Sequence, residues 1–198
     1  MAAGASYHRW FEGWTERRER IGGRTRTRRY YSGEYRVAAL EKGTWRGHGT
    51  RLVALYTLSA ACLIAGGCLP VWTNGHVLVA LFELILLVGL LCQLPPLLSV
   101  CLSKGRLTKG EWRERGNLVS MARGLTVVFA LLAAVRVVLM IAARQTAEPL
   151  EWLSALLSAI GAGVAERFRR AEGKVQYRLE QSDETVPKDG YDICYREQ

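Results

Sequence analysis

Two ionisable side chains stand inside otherwise apolar runs, and the rest of the chain has to accommodate their chemistry. Glu83 lies near the middle of Val77–Leu94, and Arg136 lies inside the apolar run Gly124–Ala143. On insertion scales a charge at the centre of a membrane helix costs about 2.5–3.5 kcal/mol, so it needs a partner or a purpose. Glu83 falls two residues from the centre of His76–Leu94 on its His76 side. Arg136 falls two residues past the centre of its own run on the Ala143 side. Successive spans run in opposite directions, so both offsets point to the same end and the charges are expected at similar depth. The expectation is an intramembrane Glu83–Arg136 pair.

A second chemistry competes with that pairing. A membrane carboxylate can carry protons or cations, and a broken helix exposes carbonyls to a ligand. Glu83 with Gln93, Pro95 and Pro96 would then line a polar path in a small oligomeric transporter or channel. Against this, only one acidic residue lies deep in the apolar runs, and a nearby arginine would neutralise it. Small multidrug transporters also have four helices and a membrane glutamate. Theirs lies on the first helix and their termini are short, and this chain departs on both counts.

The remaining reactive residues form no catalytic pattern. There is no nucleophile–base arrangement, phosphate loop, haem motif or deaminase pattern, so a non-enzymatic protein without cofactors is expected. His8, His48 and His76 are scattered, and no Cys/His spacing suits a metal. Cys62, Cys68, Cys92 and Cys101 fall in or at the ends of apolar runs and read as small packing residues, while Cys194 is alone in a polar tail.

The elements that must position Glu83 and Arg136 are marked by how the charge is sorted. The net charge is +9 over 198 residues, yet Leu52–Trp72 carries none. Such blocks are typical of membrane proteins with basic flanks, which accounts for the Lys/Arg excess without a nucleic acid partner. Spans are expected at about 52–72, 76–102, 124–143 and 150–165. The first follows some fifty polar residues and is expected to remain as an anchor. Pro95-Pro96 should kink or break the second. Lys104–Asn117 reads as a polar loop in which Thr108 and Glu111 have capping-box spacing. Pro149 suits the first turn of the fourth helix, and the fourth span is short and rich in Ala, Ser and Gly. Ala155, Ala159 and Gly163, with Ser154, Ser158 and Ala162 beside them, form small-residue stripes, as do Ala61–Ala65 and Cys62–Gly66.

Residues 36–51 carry four Lys/Arg, residues 103–117 five and residues 166–178 five, whereas Thr73–Gly75 carries none and Arg144–Glu148 one. With four spans the three basic segments share one side, which the positive-inside rule makes cytoplasmic. The expected fold is an all-α membrane protein with four transmembrane helices over 52–168 and both termini cytoplasmic. Its layout resembles that of small four-span bacterial membrane proteins, so a bacterial cytoplasmic membrane is the expected location.

Two flanking segments complete the reading. In residues 1–51, Tyr7, Trp10, Phe11 and Trp14 share one helical face before Gly22-Gly23, predicting an amphipathic helix in the headgroup region. The arginines from Arg24 to Arg29 then alternate as an extended strand or tail. Trp72, Trp112 and Trp152 are expected at membrane interfaces. In residues 169–198, Val175, Tyr177 and Leu179 and then Tyr191, Ile193 and Tyr195 alternate with polar residues, predicting a small β-hairpin supported by a segment such as 28–38. The expected partners are the bilayer, with anionic lipids at the cytoplasmic face, and a second copy or another membrane protein. As a function class, the sequence reads as a scaffold or accessory subunit with a basic cytoplasmic face.

Overall fold

In lipid a backbone must satisfy its own polar groups, and the Leu-, Val- and Ala-rich runs of this chain do so as long helices. The computed structural model of the chain describes residues 14–21, 24–31, 33–39, 42–103, 105–144 and 148–181. It begins with β1 (Trp14–Ile21), β2 (Arg24–Tyr31) and β3 (Glu34–Ala38). There follow α1 (Lys42–Cys68), a 3-10 turn (Trp72–Gly75), α2 (Val77–Leu102), β4 (Arg106–Leu107), α3 (Lys109–Ala142), α4 (Pro149–Gly173) and β5 (Tyr177–Gln181). Three helices are long and apolar enough to cross a membrane: Thr44–Cys68 within α1, then α2 and α3. Much of their apolar surface faces outward, including Leu81, Leu84, Ile85, Leu87, Val88 and Leu91 on α2. Helices of this kind suggest a membrane protein.

The four helices pack around two apolar clusters. Leu63, Val79, Leu86, Leu90, Leu125, Phe129, Leu132 and Ala165 form the middle of the bundle. Ala38, Trp45, Leu52, Leu97, Val100, Leu118, Ala122 and Phe168 form a second cluster toward one end. Beyond it lies a three-stranded sheet of order β4-β3-β5, both pairings antiparallel. Gly105 turns the chain into β4 with φ +84, a conformation L side chains rarely adopt, and packs on the Trp45 ring. This sheet end gathers the start of α1, the α2–α3 connection and the end of α4. The 3-10 turn and the α3–α4 connection form the opposite, turn end.

Helix α4 is amphipathic in an unusual sense. Its buried row includes Ser154, Ser158, Gly161, Ala165, Phe168 and Glu172, while Trp152, Leu153, Leu156 and Ile160 are exposed. The stripe containing Ser154 and Ser158 is the one that packs: Gly66 of α1 faces Leu157 and the Ser154 carbonyl, whereas Gly163 has open space beside it. Gly161 is the tightest point, since a Cβ there would lie 2.6 Å from Phe129 Cε1, and Phe129 is fully buried. Gly161→Ala is therefore expected to destabilise the bundle by about 1–3 kcal/mol by overpacking. Gly163→Ala should be nearly silent. Thermal unfolding of the two variants in one detergent checks the contrast.

Several expectations need correction. Residues Trp14–Ile21 are not helical but pair with Arg24–Tyr31 in register from Trp14↔Tyr31 to Ile21↔Arg24. In the sequence the two strands flank Gly22-Gly23, the pair read as a helix stop. Tyr7, Trp10 and Phe11 lie outside the described residues. Helix α1 ends at Cys68, so Trp72 belongs to the turn and not to the span. The polar loop ends at Thr108, whose hydroxyl and Glu111 complete the capping box, and α3 already begins at Lys109. Pro95 and Pro96 do not break α2, which continues to Leu102 with Pro96, Leu97 and Val100 buried. Each proline removes one helical donor, but packing of the following turn holds the helix together. In the tail, β5 pairs with β3, while Tyr191, Ile193 and Tyr195 lie outside the described residues.

Candidate functional site

The turn end concentrates polar groups among the apolar helices. Glu83 is six residues from the start of α2 and Arg136 six from the end of α3, so each lies about 9 Å in from its helix end at the usual rise. Arg136 Nη2 donates to Glu83 Oε1 at 2.5 Å. The arginine side chain is 1% exposed and the glutamate 22%. Helix α1 presents Gly67 to this carboxylate, where a Cβ would sit 3.3 Å from Oε1. Arg136 Nε and Nη1 are buried and make no hydrogen bond. Glu151, the third residue of α4, is close enough to act on Arg136 electrostatically.

Glu151 itself is buried and ties α4 to the turn. It accepts from the Thr73 backbone N–H at 3.1 Å and from the Thr73 hydroxyl at 2.7 Å. The neighbouring Asn74 closes α1: its Nδ2 donates to the carbonyls of Gly66, Gly67 and Leu69 at 2.8–3.1 Å. These are carbonyls that a helix C-terminus leaves without helical partners. Neither this capping role nor the Glu151–Thr73 bond was legible in the sequence. Gln93 is buried on α2 and Pro95 is exposed. Gln93, Pro95 and Pro96 lie more than two helical turns beyond Glu83 on the same helix. Trp72 and Trp152 are about half exposed.

The sheet end holds a cluster centred on a fully buried carboxylate. Glu172, near the end of α4, accepts from Arg115 Nε at 2.5 Å and from the Tyr177 hydroxyl at 3.0 Å, and lies 2.7 Å from His48 Nε2. Arg115 Nη2 also donates to the Glu172 carbonyl at 2.8 Å. One carboxylate thereby joins α1, α3, α4 and β5. Aromatic rings enclose it: the Arg115 guanidinium lies 4.7 Å from the centre of the Trp112 ring and 4.5 Å from that of Tyr177, and the guanidinium of Arg36 on β3 lies 4.4 Å from the centre of the Trp112 ring. Trp112 is thus packed among cations and Tyr177, with their rings 5.0 Å apart. Burial alone would raise the Glu172 carboxyl. Hydrogen bonds from His48 and Arg115, with their charges, outweigh that and hold it below its ordinary value. Burial and the adjacent Glu172 push the Tyr177 hydroxyl up.

Beside His48 the surface opens into a cleft of about 980 Å³ between the start of α1 and the end of α4. Its lining includes Thr44, His48, Arg51, Arg167, Arg170 and Lys174. No group of three or more potential metal ligands occurs among the described residues. The cleft and the Glu172 cluster were not legible in the sequence, because contacting members such as His48 and Glu172 are 124 positions apart. Compared with known proteins, the chain matches no family model, no curated protein and no solved structure.

Proposed function

We propose that this chain is a four-span protein of a bacterial cytoplasmic membrane, with both termini cytoplasmic, acting as a non-enzymatic scaffold or accessory subunit. Lipid is the natural surrounding for α4 as a fourth span, because the helix turns serines and Glu151 inward and Trp152, Leu153, Leu156 and Ile160 outward. A water-facing helix would reverse that arrangement. The sheet supports an even number of crossings, since it gathers the starts of α1 and α3 with the ends of α2 and α4. That end carries the basic segments, and the positive-inside rule makes it cytoplasmic.

The observation that carries a binding role over transport is the engagement of both intramembrane carboxylates. Glu83 is held by Arg136, and Glu151 by Thr73. A coupling carboxylate must exchange protons or ions, whereas these hold helices together. Proteoliposomes containing the full chain should show proton and sodium fluxes equal to protein-free vesicles under an imposed membrane potential. Glu83→Gln should leave that background flux unchanged. Flux in the native protein that disappears in Glu83→Gln would replace this reading with the oligomeric transporter.

A further inference from the structure

We infer that the cleft between α1 and α4 at the sheet end is a binding site for a phosphate group. Arg51, Arg167, Arg170 and Lys174 converge on it from two helices, together with His48. Among the described residues no carboxylate pairs with Arg51, Arg167 or Lys174. Arg170 is partly engaged, donating from Nε to Glu166 at 2.6 Å, and Glu166 also holds Arg169. Glu172 faces the cleft only through His48, whose Nε2 it occupies. Three cations therefore remain uncompensated around one concavity, more than a single carboxylate would balance. Guanidinium forks match phosphate oxygens in pairs, and a lysine adds a point charge.

The shape and depth of the cleft agree with that chemistry. Its volume of about 980 Å³ admits a headgroup-sized molecule. Arg51 immediately precedes the apolar run that starts at Leu52, and Arg167 lies just beyond the run that ends at Ala165. The cations therefore line the level where an apolar span meets water, within reach of lipid phosphates and of soluble ones. His48 is fixed in the wall by Glu172, which keeps the cleft attached to the folded cluster. This inference rests on the proposed cytoplasmic, membrane-embedded arrangement but not on the absence of transport.

The test uses the full chain in nanodiscs of phosphatidylcholine alone. Binding of short-chain phosphatidic acid and, separately, of glycerol 3-phosphate is measured by calorimetry. The cleft variant Arg51→Gln/Arg167→Gln/Lys174→Gln is compared with a control of equal charge loss, Arg113→Gln/Arg123→Gln/Arg178→Gln, whose members are exposed and outside the cleft. The expected result is at least about tenfold weaker binding in the cleft variant and little change in the control. Loss confined to phosphatidic acid identifies a lipid source, and loss of both ligands shows that the phosphate group suffices. Absence of binding to the native protein, unchanged binding in the cleft variant, or equal loss in the control overturns the site. A Glu83-dependent flux would overturn the scaffold reading while leaving this measurement intact, so the two failures are distinguishable.

Discussion

Replacing Glu172 with alanine is expected to destabilise the folded protein by about 3–5 kcal/mol, the usual cost of removing one partner from a buried charged network. Glu172 is fully buried and receives hydrogen bonds from Arg115 and Tyr177, with His48 at hydrogen-bonding distance. Its loss leaves the Arg115 guanidinium without a counter-charge beside the Trp112 and Tyr177 rings, and it unties β5 from the helices. Glu172→Gln keeps the shape and one acceptor oxygen but removes the charge, so it should fall between alanine and the native protein. The measurement is thermal unfolding of the full chain in nanodiscs, followed by tryptophan signal. A native-like midpoint for Glu172→Ala would show that the cluster contributes nothing to the fold.

The same carboxylate predicts a direction with pH. Its folded-state value lies below the ordinary 4.5. The stability it contributes is therefore complete above about that value and is lost as pH falls through the lower, folded one. Native protein should lose stability on acidification below the ordinary carboxylate range more steeply than Glu172→Gln. Parallel acid profiles for the two would exclude Glu172 as the group responsible.

What could be read from the sequence was whatever repeats locally or carries a charge where none belongs. Continuous apolarity announced the helices, and Thr108 with Glu111 announced a cap that the structure forms. Over Trp14–Ile21 the helical reading misled, because an aromatic face at helical intervals does not outweigh two adjacent runs able to pair as strands. Pro95-Pro96 misled because a donor lost within a packed helix need not end it. The Glu172 cluster was illegible for a different reason. His48, Arg115, Glu172 and Tyr177 look like ordinary members of basic, solvated segments, and only the three-stranded sheet brings those segments together. Arg167 and Lys174 likewise read as flanking charges for orientation until the opposite wall, with Arg51, is in place.

Glu83 and Arg136 should be strongly non-additive in their effect on stability. Glu83→Leu removes the hydrogen-bonded partner of a guanidinium that is 1% exposed, leaving only Glu151 to offset it electrostatically. The expected cost is about 3–5 kcal/mol, because a stranded guanidinium cannot shed its charge. Arg136→Leu should cost less, since the Glu83 side chain is more exposed than that of Arg136. The double variant Glu83→Leu/Arg136→Leu removes both charges together. Replacing a buried pair by packed apolar residues is often neutral or stabilising, so its stability should return to within about 1 kcal/mol of the native protein. A double-mutant cycle measured by steric trapping in bicelles separates these terms. Additive losses in the double variant would mean that the two side chains act independently, and a silent Glu83→Leu would remove the pair from any account of how α2 and α3 are held. If the cycle closes as expected, the one carboxylate of α2 is explained by its grip on α3, and the groups left to act on a partner are those of the basic end.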